Sequence, residues 1–140
     1  MTSPLENLCG PGQPLRKEAP DAQESAGLER SGLTRLADAQ NEANSLESRF
    51  DLAYNAAHAL SLAALRRSGY RSANRYIVFQ ALQHTLGLGP EVWRVLAHCH
   101  ELRNRGEYAG DLEVNERLLT DLIKACKIDA AAVQKLPPVT

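Results

Sequence analysis

The densest chemistry in this chain lies between His100 and Tyr108, in the run His-Glu-Leu-Arg-Asn-Arg-Gly-Glu-Tyr. Arg103 and Arg105 carry fixed positive charge, which suits phosphate oxygens and any transition state that accumulates negative charge on them. Asn104 adds an amide that can donate or accept. His100 is a side chain whose ordinary pKa lies near neutrality, so it can carry a proton. Tyr108, with a phenol near pKa 10, hydrogen-bonds a phosphate or stacks on a base more readily than it serves as a base itself. Arg71 and Arg75 form a second basic group upstream. Together these residues read as a surface for an anionic ligand. The catalytic candidates are Arg103, Tyr108 and His100, and the candidate ligand-binding set is Arg103, Asn104, Arg105, Tyr108, Arg71 and Arg75.

Helices must position these side chains. Proline is absent from Asp21 to Leu136 except at Pro90, and no stretch alternates at period two long enough to make a strand. The expectation is an all-α, up-and-down bundle of four to five helices. The first runs from about Asp21 to Asn44 with Leu28, Leu33, Leu36 and Ala39 as its apolar stripe. The second runs from about Leu46 to Ser68 through Phe50, Ala53, Tyr54, Ala57, Leu60 and Ala64, and Gly69 stops it with a left-handed cap. A shorter third begins after Ser72 and shows Tyr76, Phe79, Leu82 and Leu86 on one face. The fourth starts at Pro90, turns Val92, Val95, Leu96, Cys99 and Leu102 inward, and breaks at Gly106. The fifth runs from about Val114 to Leu136 with Leu118, Leu122, Ala125, Cys126, Ala130 and Val133 as its stripe. Residues 1–20, with four prolines and two glycines, read as a flexible leader that the bundle can do without, and 137–140 as a tail.

Composition narrows the function. The chain has 140 residues and a net charge of −1, so no global cationic field attracts nucleic acid or membrane. The charge is uneven: residues 66–105 hold seven arginines against Glu91 and Glu101. Cys9, Cys99 and Cys126 are too widely spaced for a disulfide framework or a zinc site, and Cys99 and Cys126 fall on apolar stripes. No metal or other cofactor is expected. Neither a signal peptide nor an apolar run of membrane-spanning length is present, so the expected location is cytoplasmic, away from membranes.

Two stretches resemble the HEPN superfamily (higher eukaryotes and prokaryotes nucleotide-binding). "RFDLAYNAAHALSLAALRRSGYR" is similar to its second helix, with an aromatic–Asp–x–Ala–Tyr–x–Ala–Ala pattern closed by Gly–Tyr. "LRNRGEY" stands where the family carries its Arg–polar–x(3–5)–His motif. The resemblance covers roughly residues 21–136. It implies a helical homodimer, and in ribonuclease members a cleft in which Arg and His from both subunits cleave RNA without metal. Other members pair with nucleotidyltransferases, belong to toxin–antitoxin pairs, or bind nucleotides. The motif's Arg falls on Arg103, its polar residue on Asn104 and its His position on Tyr108. The resemblance therefore implies a binding surface without its proton-transfer group.

The leading expectation is a noncatalytic HEPN-like module for RNA, a nucleotide, or a nucleotidyltransferase-type or antitoxin partner, as in a toxin–antitoxin-like system. The alternatives are a metal-independent endoribonuclease using Arg103 with His100 or Tyr108, a DNA-associated regulator using arginines 66–75, and a structural dimer with a vestigial cleft. Each residue also has a plainer reading. Arg103 and Asn104 could cap a helix C-terminus; arginines 66–75 could be a solvated helix end; Tyr108 and Trp93 could be packing aromatics. Glu107 reads as a solvated charge, His58 as core or interface, and His84 as surface. His98 and His100 point to different sides of their helix. The alanine-rich second helix offers small apolar surface for a two-fold dimer.

Overall fold

The computed structural model describes residues 4–109 and 114–139, with the side chains of residues 106–109 outside the described part. The chain is a mostly helical bundle of four long helices, α1 (Ala22–Ala39), α2 (Leu46–Arg67), α5 (Pro90–Ala109) and α6 (Glu116–Gln134). Two short helices, α3 (Arg75–Gln80) and α4 (Leu82–Thr85), lie between α2 and α5. Short polar side chains set the starts. Asp21, Ser45, Asn74 and Asn115 each accept a hydrogen bond from a backbone N–H in the first turn of α1, α2, α3 and α6. Gly69 ends α2 in the left-handed region at φ +89°.

Helix α2 is the hub, touching α1, α3, α5 and α6. Its alanines are the reason: Ala53, Ala56, Ala57, Ala63 and Ala64 are all buried within the single chain. Gly32 on α1 completes the close approach, since a Cβ there would stand 2.6 Å from Leu60 Cγ. The small surface expected to be left over for a dimer is thus consumed inside one chain. Among the described residues, Ile128 is the one large apolar side chain classed as exposed.

The structure departs from the sequence expectations in four places. First, α1 ends at Ala39, short of Asn44. Second, the third helix is split at Ala81 into α3 and α4. Third, α5 does not break at Gly106 but continues to Ala109; a glycine inside a helix costs only about 1 kcal/mol relative to alanine, which neighbouring turns absorb. Fourth, the leader is not a loose arm. It forms a 3₁₀ turn at Glu6–Leu8 and a strand β1 (Arg16–Lys17) paired antiparallel with β2 (Tyr70–Arg71). Leu5 and Leu15 are buried with Leu65, Tyr70, Val78 and Ala81 in a second, smaller core. Proline and glycine density signalled a segment that is not helical, which is a different property from one that is not packed.

Candidate functional site

The site is built on the edge of α2 where the buried Tyr54, one turn after Phe50, borders the exposed Asp51 and the half-buried Asn55. Asp51, Tyr54 and Asn55 lie three and four residues apart, so they share a face. Arg75, the first residue of α3, and His100, Arg103 and Asn104 on α5 converge on that edge. The Tyr54 ring is buried and carries a guanidinium at either approach: Arg75 Cζ lies 5.4 Å and Arg103 Cζ 4.9 Å from its centroid. The two cations are therefore within about 10 Å of each other, each favoured by the electron-rich ring. Each also has an acceptor on α2. Arg103 Nε donates to Asp51 Oδ1 at 3.1 Å, and Arg75 donates to Asn55 Oδ1 at 3.2 Å.

His100 is half-buried beside the ring. Its Nδ1 lies 2.7 Å from the Tyr54 hydroxyl and its Nε2 lies 3.2 Å from Asn104 Nδ2. As the amide is oriented, Asn104 donates to Nε2, which leaves the ring proton on Nδ1 to be donated to the tyrosine oxygen. Burial and then the two arginines, Arg75 before Arg103, hold the imidazole below its ordinary pKa. His58, one turn beyond Tyr54 and edge-on to Phe79, is pushed down to about 4 by burial first, then by Arg75 and His100. Both histidines are accordingly neutral at physiological pH. The arrangement supplies two oriented cations, an exposed amide and neutral imidazoles. It does not supply a histidine nitrogen waiting for a proton, because both nitrogens of His100 are already engaged.

The sequence candidates separate clearly. Arg103, Asn104, His100 and Arg75 come together. Arg105 is exposed, two residues along α5 and so turned away from Arg103. Tyr108 lies in α5, but its side chain falls outside the described residues, as does that of Glu107. Arg71 belongs elsewhere: it is bonded to Glu18 and Glu24, on the leader side of the bundle. Arg66 joins the same carboxylates and is only 2% exposed, while Arg67 donates to the Val133 carbonyl. Arginines 66, 67 and 71 are therefore not a phosphate-facing patch. Nor do Arg103 and Asn104 cap a helix, since α5 continues for more than a turn beyond them.

Asp51, Asn55 and the ring of Tyr54 join the site without having been expected there. The spacing Asp-x-x-Tyr-Asn was visible, but Tyr54 read as core, which it also is. The minor expectations fare well: Trp93 is buried, His84 and His98 are exposed, and Cys99 and Cys126 are buried free thiols. Among the described residues no group of three His, Cys, Asp or Glu could hold a metal, and no helix is long and apolar enough to cross a membrane. No family model matches the chain, and neither the curated proteins nor the solved structures contain a match to it.

Proposed function

We propose that this chain is a noncatalytic binding module for phosphate-bearing ligands, RNA or a nucleotide, on a HEPN-like bundle. The observation that carries this reading is the pair of guanidiniums held against one buried tyrosine ring. Two cations fixed in place lose little freedom when they meet a phosphate, so charge-assisted hydrogen bonds to both add directly to affinity. The buried ring is not open for a base to stack on, so the contact is with phosphate rather than with base identity. The resemblance of residues 49–71 to the HEPN second helix, and of "LRNRGEY" to its Arg–polar motif, supports the same surface. A nucleotidyltransferase-type or antitoxin-like partner, and a dimer, belong to that resemblance rather than to the geometry. The ribonuclease alternative would need His100 to release one of its two hydrogen bonds before it could accept a proton, which weighs against it.

The reading is tested by titrating a labelled single-stranded RNA oligonucleotide and ATP in EDTA. Binding should weaken steeply with salt and fall by more than tenfold in Arg103→Ala and in Arg75→Ala. RNA should remain intact throughout. Binding that ignores both substitutions would move the site elsewhere, and cleavage in EDTA would restore the enzyme.

A further inference from the structure

We infer that Arg75 is the principal contact for the anion at this edge, and that Asn55 is the residue that positions it. This rests on the reading of the surface as a phosphate site and names which cation carries it. The observation is what Arg75 is given to bond. Arg66, Arg71 and Arg103 each meet a carboxylate. Arg75 is half-buried, yet among the described residues it has no carboxylate partner and donates to the neutral Asn55 Oδ1 at 3.2 Å. Both ends of that amide are used. Asn55 Nδ2 donates to the Asp51 backbone carbonyl at 2.9 Å, which turns Oδ1 towards the guanidinium. Asn55 thus orients Arg75 and leaves its charge intact. The Tyr54 ring, 5.4 Å from Arg75 Cζ, adds attraction without adding a countercharge. A partly desolvated cation with no opposite charge is unfavourable in a fold. A bound phosphate supplies that charge and has no carboxylate to displace from Arg75.

The same charge reaches the imidazoles beside it. After burial, Arg75 is the largest influence holding both His58 and His100 below their ordinary pKa. Arg103 adds to it at His100, His100 adds to it at His58, and Glu101 opposes it at His100. Both rings pack on Phe79, and His100 also stacks on Tyr54. An anion settled on Arg75 therefore lets both histidines take a proton at higher pH, so they report where it sits.

The experiment titrates inorganic pyrophosphate into the full chain at low salt by calorimetry, and follows the histidine signals by NMR across pH with and without it. The variants are Arg75→Met, which keeps the stem and drops the charge, Arg103→Met, Asn55→Ala and Asn55→Asp, each with a melting curve. Arg75→Met should weaken pyrophosphate by roughly thirtyfold or more, and by more than Arg103→Met does. It should melt at or above the wild-type temperature, as expected of a residue kept for a ligand rather than for the fold. Asn55→Ala should weaken binding by about three- to tenfold through lost orientation. Asn55→Asp should do worse than alanine, because it brings the missing carboxylate, and the gap between the two should close at high salt. In wild type, pyrophosphate should raise the pKa of both histidines; in Arg75→Met they should start higher and stay there. Arg103→Met costing as much as Arg75→Met or more, or Asn55→Asp binding no worse than Asn55→Ala, would overturn the inference and leave the phosphate site standing. So would pyrophosphate that binds without moving His58. A large melting loss in Arg75→Met with binding intact would make Arg75 a packing residue. No binding by the wild type would remove the phosphate site itself, and this contact with it.

Discussion

Two arginine clusters in this molecule use the same side-chain chemistry for opposite ends. On the leader side, Arg66 and Arg71 meet Glu18 and Glu24, and Arg66 also donates to the carbonyls of Glu18, Ala19 and Tyr70. These contacts tie the leader to α1 and to the end of α2. The carboxyl of Glu24 is held below its ordinary range, by Arg66 first and Arg71 second. On the α2–α5 edge, Arg75 donates to the neutral Asn55 amide and Arg103 to the Asp51 carboxylate, both against the Tyr54 ring. Depth does not separate the clusters, since the Arg71 side chain is 26% exposed and that of Arg103 23%. What sets the leader side apart is that Arg66 and Arg71 share the same two carboxylates, a pairing that the count of arginines in the sequence does not reveal.

The contrast can be broken most forcefully at Arg66. Arg66→Ala should cost about 3–5 kcal/mol, the range for stripping one partner from a buried ion pair. Phosphate binding, measured on whatever fraction remains folded, should be unchanged. A loss below 1 kcal/mol in a denaturant melt would mean that the leader network is as expendable as a surface pair.

Leu15→Ala probes the same region without touching charge. The side chain is 1% exposed in the second core, so truncation should cost about 2–4 kcal/mol. If chemical denaturation showed no change, the leader would have to be detached in solution. That outcome would return residues 1–20 to the status of a dispensable arm.

A third case sharpens the comparison, a buried carboxylate with no cation partner among the described residues. Asp129 on α6 is fully buried, accepts from the Ser61 hydroxyl at 2.6 Å, and its other oxygen has no partner among the described residues. Burial pushes its pKa up to about 7. Between its unfolded value near 4 and its folded value, the native state holds a proton that the unfolded state has lost. Stability from this group therefore falls as pH rises through that window, and the full cost is present above about pH 7. His58 works in the opposite direction: its folded pKa of about 4 makes stability rise with pH up to its unfolded value near 6.5. The stability difference between wild type and Asp129→Asn isolates the aspartate. It should shift in favour of the variant by about 1–3 kcal/mol from pH 5 to pH 8. A difference that stays flat with pH would place a cation near Asp129 that the fold does not reveal.

The smallest stability effect belongs to the ligand edge. Arg103→Ala should cost less than about 1 kcal/mol of stability, because its ion pair with Asp51 is exposed. It should nonetheless weaken phosphate ligands by about 1.5–3 kcal/mol. The reverse pattern would make the two clusters alike and leave the α2–α5 edge a packing feature.

The sequence by itself determined which segments are helical, though not where α1 ends, that the third helix splits at Ala81, or that α5 runs on past Gly106. Apolar spacing, the cap at Asp21, the stop at Gly69 and the start at Pro90 are local instructions, readable because backbone hydrogen bonding in a helix spans only four residues. The run from His100 to Asn104 was legible as chemistry for the same reason, since its members are neighbours on one turn. The tertiary structure alone decided which arginine meets which carboxylate. Arg66 reaches Glu24 across 42 positions, and Arg103 reaches Asp51 across 52. No periodicity encodes such pairs; they exist because α2 lies in the middle of the bundle and presents one edge to the leader and α1 and another to α3 and α5. The leader was misread on the same account. Its prolines say that it forms no helix, whereas its place on the fold comes from two leucines finding Leu65 and Val78, a contact that only the packed chain can make.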